Sequence, residues 1–110
     1  MNFFGFRKAM DINDGLEKIK HIHGAVPLDV RAKEEYNEVH IPGSRNIPLN
    51  VLETVEDQIP NKSTPVFLHC LSGGRSRPAV RLLKLWGYAN VTDLGGIHQY
   101  HGKIERGAIQ

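Results

Sequence analysis

A length of 110 residues is that of one ordinary domain, and it predicts a single domain over residues 1–110. Hydrophobic residues make up 40% and charged residues 24%, which argues against a largely disordered chain. The formal net charge of +2 argues against a general nucleic-acid binder, and no apolar run approaches the ~20 residues of a membrane helix.

Short apolar runs separated by Gly and Pro predict alternating helices and strands in the first half of the chain. A helix is predicted over residues 12–21, with Asp11 or Asn13 as its cap and Gly15 as a weak point. A strand is predicted at 25–30, a short helix at 31–37, a brief strand at 46–47 and a helix at 49–58.

The second half of the chain carries the clearest patterns. Residues 65–69 form an apolar run that predicts a buried strand. The strongest helix follows, with Ser76 as a candidate N-cap and Gly87 as its stop. Its apolar residues fall at i, i+3, i+4 and i+7: Ala79, Leu82, Leu83 and Trp86. A strand at 91–94 and a helix at 97–103 complete an α/β layer fold with a mainly parallel sheet.

The chain has one cysteine, Cys70, and it lies between the best strand and the best helix. A single cysteine excludes an internal disulfide and a multi-cysteine zinc site. A lone cysteine is usually a small buried hydrophobe, but ligands of open α/β sheets bind outside the carboxyl ends of the strands. The predicted topology puts this thiol there.

Each residue that follows Cys70 has a chemical use. Gly73 and Gly74 let the backbone curl with positive φ so that several N–H groups converge. The helix N-terminus adds free donors and a partial positive charge, and Arg75 adds a bidentate fork for an oxyanion. Together they predict a thiol pKa below the free value of about 8.5, hence an activated nucleophile in a nest for an anion or a persulfide.

Residues 69–76, His-Cys-Leu-Ser-Gly-Gly-Arg-Ser, resemble the rhodanese active-site loop, Cys-x-Ser-Gly-x-Arg-Ser. Residues 28–31 (Leu-Asp-Val-Arg) with Glu35-Tyr36 resemble an upstream motif of that family. Residues 40–48 resemble its His-Ile-Pro-Gly-Ala-x-Asn-Ile-Pro motif, and residues 87–97 resemble its closing motif. The four motifs follow the family's order and span about residues 28 to 102.

The resemblance implies a rhodanese-like fold, with a central, mainly parallel sheet of about five strands and helices on both faces. It also implies a sulfurtransferase of the thiosulfate type. Cys70 would take a sulfane sulfur from a small anionic donor such as thiosulfate and pass it, as a persulfide, to cyanide or a thiol. The backbone N–H groups of the loop would hold that sulfur, which makes these the substrate-binding residues: Leu71, Ser72, Gly73, Gly74, Arg75 and Ser76.

Other functions stay open at this point. A protein sulfur donor or acceptor would use the same chemistry, and a non-catalytic rhodanese-like module would bind a partner or sense a ligand. A Cdc25-like phosphatase or arsenate reductase has five residues between Cys and Arg, whereas four separate Cys70 from Arg75. A shorter loop favours one sulfur atom over a wider phosphate.

Other polar and aromatic residues lie outside the loop itself. His69 is expected to point away from Cys70 because strand side chains alternate, and Asp29 is expected to fix a turn near Arg31. Tyr100 stands where many members of the family carry Trp. Three arginines are equally consistent with anion steering and with plain solvated charges: Arg45, Arg77 and Arg81.

No metal ion, cofactor, nucleic acid or membrane is predicted to bind. Two histidine pairs, at 21/23 and 98/101, have spacings that a metal could use, but no cysteine or acidic partner lies near them in sequence. Residues 1–8 lack the order of a signal peptide, since the basic residues follow the apolar ones, and this predicts a cytoplasmic protein.

Overall fold

The computed structural model describes residues 9–107. In chain order the elements are helix α1 (Ile12–Ile19), strand β1 (Val26–Asp29), helix α2 (Lys33–Glu38), strand β2 (Arg45–Asn46), a 3₁₀ helix (Leu49–Thr54), helix α3 (Val55–Gln58), strand β3 (Val66–Cys70), helix α4 (Ser76–Leu85), strand β4 (Val91–Gly96) and a 3₁₀ turn (Ile97–Gln99). Residues 1–8, on which the predicted lack of a leader rests, lie outside the described part.

The four strands form one parallel sheet in the order β2-β1-β3-β4, which confirms the predicted α/β class. The expected count of about five strands is wrong for the described residues. The fifth strand was implied by the family resemblance, whereas the sequence patterns predicted four strands. Between the 3₁₀ turn and residue 107, an isolated antiparallel bridge joins Glu105 to His40.

Strand β3 lies inside the sheet and is buried along its whole length. Val66, Leu68 and Cys70 face one core, which is packed with residues of α3 and α4 such as Leu83. Phe67 faces a second core, which is packed with residues of α1. Helices therefore cover both faces of the sheet, as predicted.

Helix α1 begins directly after Asp11, one of the two predicted N-cap residues. The carboxylate of Asp11 accepts hydrogen bonds from the N–H groups of Asn13 and Asp14. Gly15, the weak point of the pattern, is explained by packing, because a Cβ there would come within 2.3 Å of a methyl carbon of Leu94. The helix ends two residues earlier than predicted, at Ile19.

Three local predictions were wrong in detail. The predicted helix at 49–58 is broken at Val51, whose φ of −127° is not helical. The predicted helix at 97–103 stops after Gln99, because Tyr100 adopts an extended backbone. Ser76 is the first residue of α4, not its N-cap, and Arg75 holds the N-cap position.

Candidate functional site

The thiol of Cys70 lies at the carboxyl edge of the parallel sheet, as the sequence predicts. Cys70 is the last residue of β3, pairs with Gly96 of β4 and is 1% exposed. The chain then turns through residues 71–75 and enters α4 at Ser76. The order strand, cysteine, loop and helix aims the free end of a ten-residue helix at the sulfur.

Two backbone donors reach the sulfur directly. The N–H of Gly73 lies 3.0 Å from Cys70 Sγ, and the N–H of Ser76 lies 3.3 Å from it. The curl that brings them together needs one glycine with positive φ, because Gly73 has φ +102°. The expectation that Gly74 contributes a positive φ to this curl was wrong, and a Cβ on Gly74 would meet open space.

These donors stabilise negative charge on the thiol. Burial alone would raise the pKa of Cys70, but hydrogen bonding from the hydroxyl and N–H of Ser76 and from the N–H groups of Arg75 and Gly73 lowers it below its ordinary value. A lowered pKa increases the thiolate fraction at neutral pH. The thiolate is the form that attacks sulfur or carbon.

The guanidinium of Arg75 does not lie free beside the thiol. Its Nη1 donates to Glu35 Oε1 at 2.5 Å and its Nη2 donates to Glu35 Oε2 at 3.0 Å. Helix α2 presents this carboxylate, and the N–H of Ala32 donates to the same Oε1 at 2.9 Å. Hydrogen bonding from Arg75 lowers the pKa of Glu35, so the pair is ionised at neutral pH. The fork expected for an oxyanion is thus occupied by a carboxylate of the chain itself.

Glu35 belongs to the upstream motif of the family resemblance, but the sequence analysis predicted no role for it. The family motif was the only sequence signal for Glu35, because the residue spacing of α2 does not indicate which loop this carboxylate contacts. The contact joins residues 40 positions apart.

Three buried polar side chains, Asp29, Arg31 and His69, form a cluster. The Arg31 side chain donates to both carboxylate oxygens of Asp29, and the Arg31 N–H donates to Oδ1 at 2.9 Å, as expected for a fixed turn. His69 Nε2 lies 3.3 Å from Asp29 Oδ2 without hydrogen-bond alignment. Burial would raise the pKa of Asp29, but His69 and Arg31 together lower it to about 2. His69 lies on the face of the sheet opposite Cys70, since Phe67 and Cys70 belong to different cores.

A groove of about 380 Å³ opens beside the loop. Its lining residues are Arg31, Glu35, Glu38, Val39, Leu71, Ile97, Tyr100 and Ile104. Leu71, the residue after Cys70, is 47% exposed there. Tyr100, at the position where the family resemblance leads one to expect Trp, packs against the core shared with α1 and donates its hydroxyl to the Lys103 carbonyl.

The remaining candidates are three arginines. Arg45 donates to the carbonyl of Gln58, while Arg77 and Arg81 lie on α4. Within residues 9–107, the structure brings together no group of three or more His, Cys, Asp or Glu side chains that would hold a metal ion. Among the same residues, none of the helices has the length and apolar character needed to cross a membrane.

Comparison with known proteins decides the family. Residues 11–103 match the family model described as Rhodanese-like domain. The chain belongs to the rhodanese-like domain family. Relatives of this rhodanese-like chain are named as sulfurtransferases, including the thiosulfate sulfurtransferase PspE of Escherichia coli, which is 37% identical over 71 residues, 64% of this chain and 68% of that protein.

Other rhodanese-like relatives are longer proteins. The adenylyltransferase and sulfurtransferase uba4 of Ogataea parapolymorpha is 43% identical over 79 residues, which are 71% of this chain but 20% of that protein. The putative sulfur carrier protein YrkF of Bacillus subtilis is 38% identical over 79 residues, 71% of this chain and 42% of that protein. The chain therefore spans a fifth to two fifths of the length of these two relatives.

Solved structures agree with the rhodanese fold. A structure described as rhodanese with anions from E. coli superposes with a TM-score of 0.70 at 31% identity, covering 76% of this chain and 99% of that one. The Alr3790 protein from Anabaena superposes with a TM-score of 0.81 at 24% identity and covers 91% of this chain and 94% of that one. The second likeness is one of fold alone.

Proposed function

We propose that this chain is a sulfurtransferase, with residues 1–110 as one rhodanese-like domain, in which Cys70 carries a sulfane sulfur between a donor and an acceptor. The observation that carries the proposal is the pair of backbone N–H groups, of Gly73 and Ser76, that converge on Cys70 Sγ. A module that only binds a partner has no need of a thiol held in this way. Relatives named as sulfurtransferases support the same reading.

The first half-reaction loads the cysteine. The Cys70 thiolate attacks the outer sulfur of a donor such as thiosulfate, a new S–S bond forms, and the old S–S bond breaks. Sulfite leaves with the bonding electron pair, and the cysteine keeps a persulfide. The negative charge then lies on the outer sulfur, where loop N–H groups stabilise it in a partly dry site.

The second half-reaction unloads it. Cyanide or a thiolate attacks the outer sulfur, the Cys70–S bond to that sulfur breaks, and the Cys70 thiolate leaves as the stabilised anion. The donors that activate the thiolate as a nucleophile also make it a good leaving group. No metal or cofactor is required at any step, and a protein thiol or persulfide is an equally suitable partner. A cytoplasmic site of action belongs to this proposal.

Loop size supports sulfur over phosphate. Four residues separate Cys70 from Arg75, and the fork of Arg75 is already filled by Glu35. A tetrahedral phosphate needs more room and more free donors than one sulfur atom. The phosphatase and arsenate reductase readings are therefore weaker than sulfur transfer.

The proposal is tested by thiocyanate production from thiosulfate and cyanide in the wild type and in Cys70→Ser. We expect turnover in the wild type and none in the variant, with the same circular dichroism spectrum for both. A wild-type protein that is folded, has a reduced thiol and forms no thiocyanate and no persulfide would favour the non-catalytic module. Activity retained in Cys70→Ser would refute the role of Cys70.

A further inference from the structure

His98 lies next to the loop that follows Cys70, and neither half-reaction uses its side chain. Its ring Nδ1 lies 2.8 Å from the carbonyl oxygen of Leu71, and its backbone N–H lies 3.2 Å from the same oxygen. A carbonyl oxygen only accepts hydrogen bonds, so Nδ1 carries the proton. Leu71 directly follows Cys70, and His98 therefore holds the Leu71–Ser72 peptide.

Gly96 leaves the space in which His98 contacts the Leu71 carbonyl. A Cβ on Gly96 would lie 2.3 Å from the Leu71 oxygen, 2.4 Å from His98 Nδ1 and 2.6 Å from the Ser72 Cα. All three groups thus converge on the bare Cα of Gly96, which is also the residue paired with Cys70 in the sheet. The hydrogen bond is built into the junction of β4 and the loop.

Fixing the Leu71 carbonyl also fixes the N–H of Ser72. The two groups belong to one planar trans peptide, in which C=O and N–H point in opposite directions. With the oxygen drawn toward His98, the Ser72 N–H is directed away from it. Within residues 9–107 this N–H has no hydrogen-bond partner, whereas those of Gly73 and Ser76 already bind Sγ.

We propose that His98 is a positioning residue for sulfur transfer, which orients the Leu71–Ser72 peptide so that the Ser72 N–H stabilises the outer sulfur carried by Cys70. The inference rests on the proposed sulfurtransferase function. Gly73 and Ser76 hold the inner sulfur of the cysteine, and a persulfide adds a second sulfur that needs a donor of its own. His98 makes its contribution through the backbone and touches neither donor nor acceptor.

The test compares His98→Leu, His98→Asn and His98→Gln. The amide nitrogen of Asn occupies the place of Nδ1, whereas that of Gln corresponds to Nε2 and does not reach Leu71 in the same way. The readout is the single-turnover rate constant for persulfide formation at saturating thiosulfate. We expect an about three- to tenfold loss in His98→Leu and His98→Gln, in line with one hydrogen bond, and recovery to near the wild-type rate in His98→Asn.

His101→Ala is the matched control, since this exposed histidine bonds to Asn13 through its backbone N–H. Its rate should equal that of the wild type. The melting temperature of each variant is measured in parallel. The proposal requires that the rate of persulfide formation depend on a donor at the position of Nδ1 and not on the melting temperature. Equal rates in all three His98 variants, or losses that track only the melting temperature, would overturn it. Lack of persulfide in the wild type would instead refute the proposed function.

Discussion

Glu35 and Arg75 form a two-point ion pair that ties helix α2 to the loop after Cys70, with 2.5 Å from Nη1 to Oε1 and 3.0 Å from Nη2 to Oε2. The two side chains are 31% and 36% exposed, so solvent screens the pair and its contribution to folding is small. Glu35 also lines the groove beside the loop, so we expect the pair to influence an anionic donor more than stability.

Replacing Arg75 and replacing Glu35 should therefore have opposite effects on the capture of thiosulfate. Arg75→Ala removes a cation of the loop and leaves the Glu35 carboxylate unpaired, so it should lower kcat/KM for thiosulfate about tenfold through weaker attraction of the anionic donor. Glu35→Gln removes the competing carboxylate and should lower KM for thiosulfate. Steady-state rates at low and high salt measure both effects, and added salt should bring the wild type toward Arg75→Ala. If both variants lose the same activity together with stability, the pair is purely structural.

The thiol of Cys70 should titrate below the free value of about 8.5, because the loop donors outweigh the effect of burial on its pKa. The single cysteine makes thiolate absorbance, taken as the difference from Cys70→Ser, a direct measurement. Ser76→Ala removes a hydroxyl that lowers this pKa and should shift the midpoint upward. Ser63→Ala, which alters an exposed serine before the amino end of β3, should leave it unchanged. A wild-type midpoint at or above the free value would contradict the account.

Acid stability should depend on Asp29. Its pKa is about 2 in the folded protein and near 3.8 when unfolded, so the folded state binds fewer protons between these values. The stabilisation is complete above about pH 4 and is lost as pH falls toward 2, and it amounts to about 2 kcal/mol. Free energies of unfolding against pH should show this slope. Asp29→Asn should abolish the slope and destabilise the protein at neutral pH by leaving Arg31 without its carboxylate.

Asp57→Asn removes an exposed carboxylate instead and serves as the control for that experiment. Its stability profile should overlay that of the wild type across the same pH range. A wild-type slope that survives unchanged in Asp29→Asn would assign the acid transition to other carboxylates.

Loop length should decide between sulfur and phosphate. Inserting one glycine between Gly73 and Gly74 restores the spacing of the phosphatase-like pattern and pulls the Gly73 N–H away from Sγ, where it now lies at 3.0 Å. Thiocyanate formation should fall, while the unaltered protein should show no hydrolysis of an aryl phosphate. Aryl-phosphate turnover by the unaltered protein would contradict the preference for sulfur.

The sequence predicts well those features that depend on residues adjacent to one another in the chain. Strand β3, Cys70, the curl at Gly73 and helix α4 follow each other directly, and apolar spacing with glycine punctuation is enough to place them. The contact of Glu35 with Arg75 and that of His98 with Leu71 join segments far apart in sequence, so no local pattern reveals them.

The errors have similar physical causes. Gly74 looks like Gly73 in sequence, but one residue with positive φ already completes the turn. The final predicted helix fails because Tyr100 packs against the core shared with α1, and the N–H of His101 donates to the side chain of Asn13. Helical spacing alone does not register such competing contacts.

The most direct test of the central claim is the intact mass of the protein after incubation with thiosulfate and then with cyanide. The account predicts a gain of the mass of one sulfur atom with thiosulfate, its loss on adding cyanide, and neither change in Cys70→Ser. A folded, reduced wild-type protein whose mass does not change, or a Cys70→Ser variant that gains the same mass, would contradict it.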